Sequence, residues 1–278
     1  MYRRAYPTRR VGGGGGGGCG GRLIFAAIIA AVSLFSYFGS RQDNAVTGET
    51  QYIDITVDQE IALGLQAAPQ MAAEFDGLDA NAADQAIVDD VGNAIVASSP
   101  AGQTPYEFDF HLLADTETIN AFALPGGQVF ITRALYDKFQ TEGELAGVLG
   151  HEIAHVVARH SAEHIAKAKL TEGLTGAAVI ATYDPQNPAS AGSAQVAMLL
   201  GQLINLKFGR DDELESDFLG VCFMNDTGYN PQEMVRVMQV LAESRQGNQP
   251  PEFFSTHPNP EQRIERIQAA VQNVSACP

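Results

Sequence analysis

His151, Glu152 and His155 form the pattern H-E-x-x-H inside residues 147–159. That stretch holds no Pro and no polar cluster, and apolar residues continue on both sides, which predicts a helix. Residues four apart share one helical face, so the two imidazoles stand one above the other and can grip a single metal ion. Glu152 points about a quarter turn away and can reach a metal-bound water without displacing it. Two neutral nitrogen ligands beside a carboxylate suit zinc-assisted hydrolysis, with one Zn2+ per chain as the expected cofactor. The alternative is a chance pattern on a surface helix. Against it, Leu145, Val148, Leu149, Ile153, Val156 and Val157 make the helix apolar almost all round and place it in a core, where polar groups need partners.

A catalytic zinc takes three protein ligands and leaves one position for water. Glu213 and Asp217 stand four apart in a stretch expected to be helical into Asn225. Alone they would read as a solvated acidic face; with H-E-x-x-H upstream, Glu213 suits the third ligand. Asp217, one turn on, can accept the outer N–H of a ligating His and fix its tautomer. Glu215 projects from the other side and is not expected to ligate. His160 and His164 leave the face of His155 and are expected to support it from behind or lie at the surface. His257 sits in Thr256-His257-Pro258, between two rigid elements. It could donate to the anion formed during hydrolysis, cover the metal when no substrate is present, or be a surface histidine.

The positioning elements follow from pattern and punctuation. Thr56 to Gln59 reads as a capping box opening a helix from about Val57 to Phe75, and Thr141 to Glu144 as a second, opening a helix that carries His151 and runs to about Lys169. A helix over residues 82–98 places Ile87, Val91 and Ile95 on one stripe. Residues 106–113 and 121–132 have strand character, the latter broken at Pro125-Gly126-Gly127. An edge strand over Ala121, Phe122, Ala123 and Leu124 could bind an extended peptide as an added strand; a plain hairpin is the simpler alternative. Residues 133–139 read as a short helix. The segment 173–206 carries one charge, Asp184; its Ala-, Gly- and Leu-rich arms could touch the membrane but neither reaches a spanning length, and packing over the active-site helix is expected. Asn230-Pro231 opens a helix to about Ser244, and 259–262 caps the last helix.

The 278 residues carry 33 acidic and 17 basic side chains. Six of the basic residues precede Asp43, so 11 stand against all 33 acids in residues 42–278. A domain that acidic is a poor partner for nucleic acid or anionic lipid. Residues 1–22 read as a basic, Gly-rich cytoplasmic tail and 23–39 as an uncharged anchor near the lower limit for crossing a bilayer. A cleaved signal peptide is the rival, though Phe35-Ser36-Tyr37-Phe38 offers no small-x-small site. The arginines before the apolar run place the N-terminus inside and the bulk of the chain, 53–278, outside the cytoplasm. Residues 40–52 read as a linker. Cys222 and Cys277 could pair there or be two buried thiols.

Four blocks occur in order: N-A-F-A-L-P-G-G at 120–127, G-H-E-I-A-H-V-V-A-R-H at 150–160, E-L-E-S-D at 213–217 and T-H-P-N-P-E-Q-R at 256–263. Together they resemble the HtpX and OMA-type membrane-associated zinc metallopeptidases, relatives of the prenyl-protein endopeptidases, over roughly residues 53–273. The resemblance implies an α+β, mostly helical gluzincin fold with a small β-sheet beside the active-site helix. It implies His151, His155 and Glu213 as zinc ligands, Glu152 as catalytic base and Asp217 behind a ligand, with Ser216 where Ala is more usual. His257 and Arg263 match its last block. The resemblance is to the periplasmic, single-anchor or secreted type, with 53–278 as the catalytic domain. The expected protein is a membrane-anchored extracytoplasmic zinc endopeptidase in envelope quality control, acting on unfolded or misassembled proteins. The alternative is a chaperone-like client-binding module with a closed or rarely used zinc site.

Overall fold

Fourteen of the sixteen residues of helix α5 (Glu142–Val157) are buried. The computed structural model of the protein describes residues 18–182, 208–244, 251–258 and 262–277. Expectations for residues 1–17, for 183–207 including the loop at Asp184, for the polar loop at 245–250 and for the cap residues 259–261 lie outside the described residues.

Ahead of α5 come α1 (Gly18–Gly39), strands β1 (Arg41–Asp43) and β2 (Thr50–Tyr52), α2 (Val57–Glu74), α3 (Ala82–Ser98), β3 (Asp109–Leu113), β4 (Ala121–Ala123), β5 (Gln128–Thr132) and α4 (Arg133–Tyr136). After it come α6 (His160–Thr182), α7 (Arg210–Thr227), α8 (Glu233–Glu243), α9 (Phe253–Thr256) and α10 (Arg263–Gln272). The capping box at Thr56 forms: Gln59 N–H donates to Thr56 Oγ1 and Thr56 N–H to Gln59 Oε1. At α5 only half the second box forms. Thr141 Oγ1 accepts from Glu144 N–H, while the Glu144 carboxylate accepts from Gln140 N–H, one residue before the cap. The buried stripe of α3 is Val88, Val91 and Ile95; Ile87 lies one position off it and is exposed.

The sheet has the order β3-β5-β4, with β3 parallel and β4 antiparallel to β5. Among the described residues β4 is therefore an edge strand, as expected for residues 121–124. Its Phe122 stacks on Phe130 and packs beneath α2. α5 lies against this sheet, α3, α7 and α8. The approach of α5 to α7 is glycine-made: a Cβ on Gly220 would stand 3.2 Å from the His151 amide nitrogen and 3.4 Å from Gly150 C. A larger residue there would push apart the two helices that carry His151 and Glu213.

Two expectations are corrected. Residues 40–52 are not an open linker; β1 and β2 pair as a hairpin, and its polar side chains close the end of α5. Asn44 Nδ2 donates to Val157 O at 3.0 Å and Gln51 Nε2 to Ala158 O at 2.5 Å. These are carbonyls that a helix C-terminus leaves without partners. Consistent with that, α5 stops at Val157 and does not run to Lys169. Arg159 adopts a left-handed φ of 59° and starts a new direction. Its side chain holds the turn by donating from Nε to Glu60 Oε1 at 2.9 Å, from Nη2 to the same oxygen, from Nη1 to Gln42 and from Nη2 to Ile55 O. The cost of a left-handed non-glycine residue, roughly 1 kcal/mol, is offset by this cluster.

Cys222 on α7 and Cys277 after α10 form a disulfide across 55 residues of sequence. The described part of the apolar segment that starts at residue 173 packs along α1, not over α5.

Candidate metal centre

α5 and α7 bring His151, His155 and Glu213 together, and α9 ends at His257 above them. His151 Nε2 lies 3.1 Å from His155 Nε2 and 3.6 Å from Glu213 Oε2; His155 Nε2 lies 3.5 Å from Glu213 Oε1. His257 Nδ1 stands 3.0 Å from Glu213 Oε1 and 3.4 Å from His151 Nε2. The four candidate ligand atoms all lie within 4.8 Å of one another, and each residue is at most 2 % exposed. Bonds of about 2.05 Å at tetrahedral angles separate ligand atoms by about 3.3 Å, so these spacings fit one small ion.

Burial holds His155 well below its usual range, which keeps the imidazole neutral as ligation requires. Burial pushes the Glu213 carboxyl up, but the neighbouring His257, His155 and His151 outweigh it and hold the group well below the usual carboxylate range. Glu152 differs. It is fully buried, its carboxyl is pushed up by that burial, and neither oxygen has a hydrogen-bond partner among the described residues. His257 Nε2 lies 3.5 Å from Glu152 Oε1. A buried carboxylate left this way is costly unless something in the site uses it.

Each histidine of the pair is backed by another group. Asp217 Oδ1 lies 3.0 Å from His151 Nδ1, as its spacing from Glu213 suggested. Asp217 in turn accepts two hydrogen bonds from Arg263. Behind His155 stands His160, with 2.9 Å between the two Nδ1 atoms, and His160 Nε2 lies 3.0 Å from Glu215 Oε2. The turn at Arg159 makes this contact possible, because on an unbroken helix His160 would point away. Ser216 Oγ approaches His160 Nδ1 at 3.4 Å. His164 pairs with Asp212 at 2.7 Å. Glu215, expected on the other side of α7, therefore belongs to the cluster through His160. The sequence offered no sign of that beyond the histidine itself.

On the sheet side, Ala123, Leu124 and Pro125 lie beside His155, Val156 and Arg159. Ala121 and Phe122 are buried, and Ala123 and Leu124 are half-buried.

A mostly helical α+β domain whose H-E-x-x-H helix faces a carboxylate-bearing helix defines a metallopeptidase class. Residues 82–271 match the family model for peptidase family M48, and the chain belongs to that family. It is 34% identical over 220 residues to the beta-barrel assembly-enhancing protease of Yersinia pestis, covering 76% of this chain and 43% of that protein. The protein of the same name from Escherichia coli is 28% identical over 251 residues, covering 87% and 50%. The mitochondrial metalloendopeptidase OMA1 of Schizosaccharomyces pombe is 30% identical over 249 residues, covering 88% and 70%. The chain spans about half the length of the bacterial relatives it matches. The expected kinship with OMA-type metallopeptidases is shown.

Proposed function

We propose that the protein is a membrane-anchored, extracytoplasmic zinc metalloendopeptidase. The observation that carries the reading is Glu152: a buried carboxylate without a hydrogen-bond partner among the described residues, one residue from the first of two candidate histidine ligands. His151, His155 and Glu213 would hold Zn2+, which supplies Lewis acidity and lowers the pKa of bound water toward ~7. Glu152 takes a proton from the attacking water and returns it to the leaving amine; its raised pKa brings it nearer the range where both transfers are efficient. Asp217, held by Arg263, fixes the ring of His151. β4 aligns an extended substrate by adding it as a strand, which its edge position in the sheet supports.

His257 has two readings. As an oxyanion donor it would face the substrate. Its Nδ1 instead lies among the other ligand atoms, which favours a cover over the metal that swings aside for substrate. The same closure gives the client-binding alternative its one supporting observation. For location, residues 20–39 are long and apolar enough to cross a membrane, with a mean hydropathy of 1.8 over an 18-residue stretch. The Cys222–Cys277 disulfide supports an oxidising compartment. Two relatives are named for enhancing beta-barrel assembly, which supports protein assembly as the setting; envelope quality control, with unfolded or misassembled proteins as substrates, is part of the same proposal.

The test is cleavage of casein by the full chain and by Glu152→Gln, with bound zinc quantified on both. One zinc in each and cleavage lost in the variant is the expected result. Retained cleavage in Glu152→Gln overturns the mechanism. Zinc with no cleavage by either protein favours client binding.

A further inference from the structure

α6 links the candidate metal centre to α1. It begins at His160, whose ring touches His155, and then runs along α1 in long contact. The register is antiparallel. Tyr37, near the end of α1, lies by Glu163 and Lys167. Further along, Gly173 meets Ser33 so closely that a Cβ would stand 2.1 Å from Ser33 Oγ. Ala177 and Ala26, at 5% and 6% exposure, are buried where both helices continue. α6 thus moves from the outer end of α1 toward its middle.

Its composition changes at the same level. The half before Gly173 carries Glu163, Lys167, Lys169 and Glu172, and Lys169 pairs with Asp54 at 3.0 Å. From Gly173 to Thr182 no residue is charged. On α1, Phe25, Ile28, Val32 and Phe35 are exposed at 56, 53, 62 and 81%. Leu174 on α6 is likewise exposed, at 37%.

We infer that residues 173–182 of α6 are immersed in the bilayer beside α1, with the Lys169–Asp54 pair at the membrane surface. The inference rests on the reading of α1 as a membrane anchor. Ten uncharged residues, about 14 Å of helix, reach roughly half way through a ~30 Å hydrocarbon layer. Immersion is apolar, so the acidity of the domain does not oppose it. The nine helical steps from His160 to Lys169 set the His155–His160 contact about 14 Å along the helix from that surface. The substrates this geometry selects are unfolded segments close to the bilayer.

The experiment uses the full chain in phosphatidylcholine vesicles, on a Cys19→Ser background, with an environment-sensitive fluorophore on Phe35→Cys, Leu174→Cys or Asp90→Cys. Brominated lipid is expected to quench positions 35 and 174 alike and leave position 90 bright. Quenching at 35 without quenching at 174 overturns the immersion of α6 and leaves the anchor standing. Quenching at 174 alone overturns the anchor and, with it, the placement of α6 in the bilayer beside α1. No quenching at either overturns both. A second reporter, an unfolded segment tethered to the same vesicles, is expected to be cut near its tether; even cutting along its length overturns the height assigned to the centre.

Discussion

Arg263 grips Asp217 with two buried hydrogen bonds, Nε to Oδ2 at 2.7 Å and Nη2 to Oδ1 at 2.6 Å. Its third nitrogen, Nη1, lies 2.8 Å from Glu213 Oε2. One guanidinium on α10 therefore touches both the proposed ligand Glu213 and the carboxylate behind His151. Burial pushes the Asp217 carboxyl up, but Arg263 and His151 more than offset this and hold it below the usual range.

Arg263→Met removes the cation and leaves two buried carboxylates facing each other. A stability loss of about 3–5 kcal/mol is expected in urea unfolding, with zinc binding weakened by ~10–100-fold in a chelator competition. Arg263→Lys keeps the charge but not the two-pronged geometry. It should recover part of the stability and little of the metal affinity. Unchanged zinc affinity in a folded Arg263→Lys would contradict the assignment.

His160 should act on His155 as Asp217 acts on His151. If His155 binds metal through Nε2, its Nδ1 carries the proton and donates to His160 Nδ1. His160 then carries its own proton on Nε2 and donates to Glu215. His160→Asn keeps an acceptor near Nδ1, whereas His160→Phe keeps only the shape. Zinc affinity is expected to fall ~10–100-fold in the Phe variant and less in the Asn variant. The Co2+-substituted protein should show a shifted absorption band in the Phe variant. Equal affinities for Asn and Phe would reduce His160 to a packing residue.

Much of this was legible because helical spacing is rigid. H-E-x-x-H and E-x-x-x-D each place two groups on one face without help from the rest of the chain, and the structure brings them together. The edge strand was legible from Pro125 and the glycines behind it. The end of α5 was not. Nothing local stops a helix at Val157; the stop comes from Asn44 and Gln51, more than 100 residues earlier, and from Glu60 holding Arg159. Long-range polar contacts of that kind leave no periodic trace. For the same reason 40–52 looked like a linker, and Glu215 looked detached from the site.

Acid should weaken the join between α4 and the start of α3. Arg133 donates to Asp79 at 2.9 Å and to Asp84 at 2.7 Å. These bonds, with the Asn81 amide, hold the Asp79 carboxyl below its ordinary 3.8. A depressed folded pKa means the stabilisation is fully present above the unfolded value and is lost as pH falls through the folded one. Asp79→Asn should therefore be less stable than the parent at neutral pH, by ~1 kcal/mol for a pair this near the surface. The two should converge as pH drops below 3.8. A constant gap across that window would mean the loss comes from packing.

Arg159→Gly sets two effects against each other. Glycine adopts the left-handed φ of 59° without strain, a gain of roughly 1 kcal/mol. The same change strips Glu60 of its cation. Glu60 is 2% exposed and is then left with Tyr106, whose hydroxyl donates to Oε2 at 3.0 Å. Burial already pushes the Glu60 carboxyl up in spite of Arg159. Breaking a buried pair by removing one partner costs about 3–5 kcal/mol, so a net loss of about 2 kcal/mol or more is expected. Arg159→Gly with Glu60→Gln removes the unpaired charge and should recover part of that loss. If the single variant proves more stable than the parent, backbone strain at residue 159 outweighs the ion pair. The hairpin side chains on Val157 and Ala158 would then be what ends α5.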